Sequence, residues 1–197
     1  MKGSQFERDL CRQFSLWWTS GQRDDVFWRT AGSGAMAKTR SKTGRTTANQ
    51  YGDIHAVDPI GIPFTDAFTV EAKRGYNKHT FADMIDKPDN AGEQQWEKFL
   101  SQVLADWQLA GTWAWLLVVK RDRREPLVFM TTHVAEHLHA HTYKTDTPYV
   151  RFHCYLKGGS REYLHGMPLS AFFQLVKPDV IRAWTRSHAE DKKCLNA

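Results

Sequence analysis

Apolar positions at the start of the chain recur with helical spacing: Phe6, Leu10, Phe14 and Trp17 or Trp18 share one side of a helix predicted over about residues 4 to 19, which Gly21 ends. Such a helix is expected to pack on a sheet. A short strand is predicted at Val26 to Thr30, followed by the glycine-rich turn Ala31-Gly32-Ser33-Gly34-Ala35. Tyr51 to Val57 reads as a second strand ending at the turn signal Asp58-Pro59, and the mostly apolar Phe68 to Lys73 as a third. These two are expected to form one β-hairpin. Gly75 to Asn90 is polar, contains Pro88, and reads either as a lid or as a disordered segment. From Ala91 to Leu109 the stripe Trp96, Phe99, Leu100, Val103, Leu104, Trp107 predicts a strongly amphipathic helix closed by Gly111. Strands at Trp113 to Val119 and Pro126 to Met130 follow, joined by the basic turn Lys120-Arg121-Asp122-Arg123-Arg124.

Beyond residue 131 the pattern is less regular. Tyr149 to Leu156 and Arg161 to Leu164, separated by Gly158-Gly159, read as a β-hairpin, and Pro168 to Val176 as a closing helix. Lys192-Lys193 reads as a frayed tail. His133, His137, His139 and His141 suggest a metal cluster at first sight, but no acidic or cysteine partner is spaced to complete a tetrahedral zinc site.

A chain of 197 residues with 41% hydrophobic content can build one cored domain, or one domain with an appendage. The charge distribution adds more. Residues 1 to 50 carry nine Lys and Arg against four acids, and residues 51 to 197 carry eighteen of each, so the net charge of +5 comes entirely from the first quarter. Lys38, Arg40, Lys42 and Arg45 stand in a Gly, Ser, Thr and Ala-rich stretch that reads as a mobile basic loop suited to a phosphate backbone. No apolar run approaches about 18 residues, and the polar N-terminus lacks a signal-peptide core, so neither a membrane span nor secretion is expected. A cytoplasmic protein is the expectation. Cys11, Cys154 and Cys194 are an odd number without CxxC pairing and read as reduced thiols.

The chemistry concentrates in Phe68-Thr69-Val70-Glu71-Ala72-Lys73 and the upstream Gly52-Asp53-Ile54. Strand side chains two apart share a face, so Glu71 and Lys73 point together and Asp53 can join them from a neighbouring strand. Taken alone, Glu-x-Lys is a common solvated pair. Within apolar strands, however, these charges need a reason to be there. Two carboxylates form a hard oxygen site suited to Mg2+ or Mn2+, and the lysine adds a positive charge beside a reacting anion.

With these residues the chain resembles the PD-(D/E)XK nuclease superfamily, and within it the archaeal-type Holliday junction resolvases. The resemblance runs over roughly residues 5 to 131 through four ordered pieces: Glu7 in Phe6-Glu7-Arg8-Asp9-Leu10, then Arg29 to Gly34, Gly52-Asp53-Ile54, and Val70-Glu71-Ala72-Lys73. Gly52 stands where the superfamily name has proline. The resemblance implies that Asp53 and Glu71 hold the metal with the Ala72 carbonyl, that Lys73 orients or activates the attacking water, and that Glu7 completes the metal shell. A glutamine from the following helix, Gln102 in preference to Gln95, is expected beside the metal. Arg29 and Ser33 in the glycine-rich turn read as a phosphate clamp. Lys38, Arg40, Lys42, Arg45 and Arg74 complete the DNA-binding candidates.

The expected fold class is α/β, a mixed central β-sheet flanked by helices with the restriction endonuclease-like α-β-β-β-α-β core over residues 1–131, and a small C-terminal α+β extension over 132–197 packed on it. The expected function is Mg2+-dependent (or Mn2+-dependent) endonucleolytic cleavage of DNA, selective for branched substrates, by a homodimer of cellular or viral origin. Exonuclease, restriction-type and non-cleaving nucleic-acid-binding readings stay open at this point.

Overall fold

The computed structural model describes residues 2–30, 51–88, 90–139, 146–156, 159 and 161–195. Helix α1 spans Lys2–Trp18, followed by the short strands β1 (Phe27–Arg29) and β2 (Ile54–Ala56). A 3-10 turn at Pro59–Gly61 leads into the one-and-a-half-turn helix α2 (Ile62–Ala67), which runs directly into β3 (Phe68–Arg74). Helix α3 (Gln95–Ala110) precedes β4 (Ala114–Lys120) and β5 (Leu127–Thr131). Helix α4 (Thr132–His139), strands β6 (Val150–Tyr155) and β7 (Arg161–Pro168), and helices α5 (Leu169–Leu175) and α6 (Pro178–Leu195) complete the chain. The architecture is α/β, as expected: a five-stranded mixed sheet in the order β3-β4-β5-β7-β6, with helices on both faces and β1 and β2 paired beside it.

Among the described strands only β3 and β4 run parallel, and α3 makes the crossover between them. Strand alternation then sorts the core into two layers. Phe68, Val70, Leu116, Val118, Val128, Met130 and Met167 face α1, α2 and α5, whereas Leu117, Val119, Phe129 and Leu164 face α3. Around Phe14 of α1 the first layer is aromatic, with the rings of Phe64 and Phe173 centred 5.0 and 5.1 Å away. The Ser15 hydroxyl donates to the Cys11 carbonyl and accepts from the Phe27 N–H, which fixes α1 against β1. Helix α6 is tied to the end of α1 by Arg182, which donates to the Trp18 carbonyl and lies over the Trp18 ring.

Three expectations change. The strands of Asp53 and Glu71 do not form a hairpin: β2 pairs with β1, and α2 stands between β2 and β3. The polar stretch after β3 is neither lid nor disordered where it is described, because Phe81 to Met84 forms a 3-10 turn capped by Thr80 and Asp83, with Phe81 stacked against Phe152 and Phe129. The region after residue 131 adds β6 and β7 to the main sheet, so the sheet runs continuously from the proposed core into the C-terminal part. Among the described residues no helix is long and apolar enough to cross a membrane. Cys11 and Cys154 are buried free thiols.

The ring of Phe14 is fully buried among these aromatics, so Phe14→Ala should destabilise the fold by about 3–5 kcal/mol in urea unfolding. A loss under about 1 kcal/mol would contradict this packing of α1 on the sheet.

Candidate active site

Strand β3 is an edge strand, bonded to β4 on one side only. Asp53 occupies part of the other side: its backbone N–H donates to the Val70 carbonyl at 2.7 Å, and its Oδ2 accepts the Ala72 N–H at 2.8 Å. In a strand the N–H and C=O of one residue point the same way, so the Ala72 carbonyl also faces this open edge. Asp53 is tied to β1 as well, since its carbonyl accepts from the Thr30 N–H.

Gly52 makes this approach possible. Its φ is +79°, and a Cβ there would stand 2.8 Å from the Val70 carbonyl oxygen and 3.1 Å from the Val70 nitrogen. Proline, with φ locked near −65°, cannot adopt this conformation. Glycine at the superfamily's proline position is thus a backbone requirement of this chain.

Glu71 and Lys73 project from β3 onto the face covered by α3, in line with Leu117 and Val119 of β4. Asp53 and Glu71 are only 4% and 2% exposed. Lys73 Nζ donates to Glu71 Oε1 at 2.5 Å and to Gln102 Oε1 at 2.8 Å, and Gln102 Nε2 donates back to the same Glu71 oxygen at 2.7 Å. The ammonium lies 5.7 Å from the Phe99 ring centre, one helical turn before Gln102. A lysine has three N–H donors, so this closed triangle leaves the third for a ligand. Glu7 of α1 stands on the other side and is met by Arg29 of β1, with 3.5 Å between Arg29 Nη1 and Glu7 Oε2.

Burial pushes the Asp53 carboxyl up to about 7, the Glu71 charge pushes the same way, the Ala72 N–H opposes, and Glu7 adds a smaller upward push that Lys73 partly offsets. Among the described residues no cation pairs with Asp53, so negative charge gathers where it meets Glu71 and the Ala72 carbonyl. Among the described residues no three His, Cys, Asp or Glu side chains cluster as a ready metal cage. Two carboxylates and a main-chain carbonyl instead form a partial shell of hard oxygens that fits a divalent cation sharing its remaining positions with water and substrate.

The predicted Asp53, Glu71, Lys73, Ala72 and Gln102 are therefore together, with Glu7 and Arg29 beside them. Arg74 lies at the end of β3 on the opposite face, with its Nε 3.7 Å from Asp122. Ser33, Lys38, Arg40, Lys42 and Arg45 lie outside the described residues, as do Gly32, Gly34, His141 and the side chains of His139, Lys192 and Lys193. His133 is exposed, and His137 packs against Trp184. Two site features escaped sequence reading: Phe99 beneath the ammonium and the Asp53 bond to the Ala72 N–H. The Phe99 to Gln102 spacing of three on the helix that follows β3 was the signal available for the first.

A family model described as "Phage putative PDDEXK endonuclease" matches residues 1–182. No curated protein and no solved structure matches the chain.

Two outcomes are expected. Gly52→Ala should lower unfolding stability by about 1–3 kcal/mol, measured by denaturant titration, and a neutral effect would contradict the close approach. Folded Asp53 holds its proton more tightly than an unfolded aspartate, so the stability it contributes is full below about pH 4 and is lost as pH rises to about 7. Thermal melts of chelator-treated protein over that window should show this fall, reduced in Asp53→Asn; equal pH profiles would refute it.

Proposed function

This chain belongs to the phage PDDEXK endonuclease family, and from that premise we propose that it is a Mg2+-dependent (or Mn2+-dependent) deoxyribonuclease whose centre is Asp53, Glu71, Ala72 and Lys73. The observation that carries this reading is the buried Asp53 and Glu71 pair at the open edge of β3, with Lys73 held beside it. Asp53, Glu71 and the Ala72 carbonyl would hold the cation, with Glu7 as a further oxygen donor. When bound, the cation supplies charge neutralisation at the phosphate and acidifies water.

The chain's own residues account for the rest. Lys73, fixed by Glu71 and Gln102, presents its remaining N–H to the scissile phosphate or to the attacking water. Gln102 is a positioning residue that binds both members of the pair at once. Hydrolysis joins the water oxygen to phosphorus and expels one sugar oxygen, which takes up a proton. Arg29 next to Glu7 offers a guanidinium to a neighbouring phosphate. The basic residues Lys38, Arg40, Lys42 and Arg45 fall in the sequence between Thr30, whose N–H is bonded to Asp53, and Tyr51, and would add positive charge for the DNA backbone.

Preference for branched DNA and a homodimer making two opposed cuts rest on the resolvase-like Arg29 to Gly34 segment. The phage label of the family favours a virus-encoded enzyme acting on DNA in the host cytoplasm. Residues 1–131 would form the nuclease core proper, with 132–197 extending its sheet.

The test is cleavage of four-way junction, flap, duplex and single-stranded DNA in Mg2+ or Mn2+. Wild type should cut, with Asp53→Ala and Lys73→Ala slower by roughly 100-fold or more. An inactive wild type would end the enzyme reading, and fully active variants would move the site elsewhere. Neutralising Lys38, Arg40, Lys42 and Arg45 should flatten the salt dependence of DNA binding; an unchanged slope would remove the loop from the interface.

A further inference from the structure

The far edge of the sheet carries a surface that the cleavage site does not use. On the side of the sheet that bears α1, hairpin β6–β7 carries Arg151, His153 and Tyr155 on one strand and Arg161, Tyr163 and the buried His165 on the other, paired as Arg151 with His165, His153 with Tyr163 and Tyr155 with Arg161. Tyr149, just before β6, stacks on His165 at 5.2 Å with 14° between the rings. Tyrosines are amphipathic, but rings this exposed are costly to leave in water: Tyr149, Tyr155 and Tyr163 are 57%, 56% and 52% exposed.

Their arrangement is specific. The Arg161 guanidinium lies 4.7 Å from the Tyr163 ring centre and 5.8 Å from that of Tyr155, and His153 packs between the same two rings. Tyr155 and Tyr163 are diagonal neighbours, about 7–8 Å apart, roughly twice a base-stacking step. Each ring keeps about half of its surface exposed for a base, with the Arg161 guanidinium beside both for phosphate. The strands place no acid on this face, since Glu162 points to the opposite one; Glu136 of α4 reaches it and pairs with Arg151 at 3.3 Å.

We infer that the β6–β7 face is a binding platform for unpaired DNA bases, using Tyr155 and Tyr163 as stacking surfaces and Arg161 as the phosphate contact. Exposed aromatics interleaved with cations are the chemistry of single-strand recognition, and every base offers a π face. Tyrosine and arginine also recur in protein interfaces, so what favours nucleic acid here is the charge, cations with no acid from either strand. Resting on the nuclease reading, this deepens it: the platform lies at the far edge of the five-stranded sheet from the cleavage centre, and on the opposite face from Glu71 and Lys73. A substrate engaging both passes around the sheet and so carries its unpaired segment away from the cut. Flapped and branched DNA meet that condition, and blunt duplex does not.

Fluorescence anisotropy with labelled oligo(dT) and with blunt duplex, in chelator so that no cleavage occurs, tests the platform apart from catalysis. Tyr155→Ala/Tyr163→Ala should weaken oligo(dT) binding about tenfold or more and leave duplex binding and duplex cleavage unchanged, while Tyr155→Phe/Tyr163→Phe retains wild-type affinity. Circular dichroism melts verify that both variants fold. Should the alanine pair misfold, Arg161→Gln replaces it, with a loss of at least threefold for oligo(dT) expected. The inference is overturned by wild type that does not bind oligo(dT), by alanine variants that bind it normally, or by a wild-type dimer that these substitutions dissociate without changing DNA affinity. Normal oligo(dT) binding by wild type that cuts no DNA would sink the nuclease reading and leave the platform standing.

Discussion

An edge strand must do something with its free row of backbone groups, and in this protein part of the answer is Asp53. The Asp53 N–H takes the Val70 carbonyl, its carboxylate takes the Ala72 N–H, and its own carbonyl takes the Thr30 N–H. One residue therefore blunts the edge of the large sheet, couples it to the β1–β2 pair and brings a buried carboxylate next to Glu71. Gly52 is the condition for all three, because no side chain fits between it and Val70. Structural pairing and chemical placement are the same interaction.

The cost of that arrangement is electrostatic. Burial and the Glu71 charge both disfavour ionised Asp53, while Lys73 sits on the Glu71 side, held by Gln102. Glu71 therefore has its cation and its hydrogen bonds, whereas Asp53 has one backbone donor and an excess of neighbouring negative charge. On the proposed reading a small, hard cation would relieve this charge, which would link the local electrostatic cost to function.

How far the sequence carried depended on the length of each pattern. Glu71 and Lys73 were legible because a two-residue period in an apolar run leaves one geometry, and Gln102 because it lies on a long amphipathic helix. The hairpin expectation failed at α2, whose six residues, Ile62-Pro63-Phe64-Thr65-Asp66-Ala67, are too few to display a period and include a proline at a helix start. The 3-10 turn at Phe81 was hidden for a related reason: two apolar anchors, Phe81 and Met84, stand in a polar stretch. Helix α6 went unread because its apolar contacts come mainly from Ile181 and Trp184, among polar neighbours; Trp184 meets Phe68 and Trp113 only in the fold. The Asp53 bond to the Ala72 N–H is a main-chain contact, which side-chain pattern does not encode.

Central to the proposed function is that the edge of β3 would hold a divalent cation in exchange for a proton. Isothermal titration of Mn2+ into DNA-free protein near pH 7, repeated in two buffers of different ionisation enthalpy, tests it most directly. Saturable binding with proton release in the wild type, lost in Asp53→Asn and in Glu71→Gln, is the predicted result. Binding that is absent from the wild type, or equally strong and proton-free in all three proteins, would contradict it.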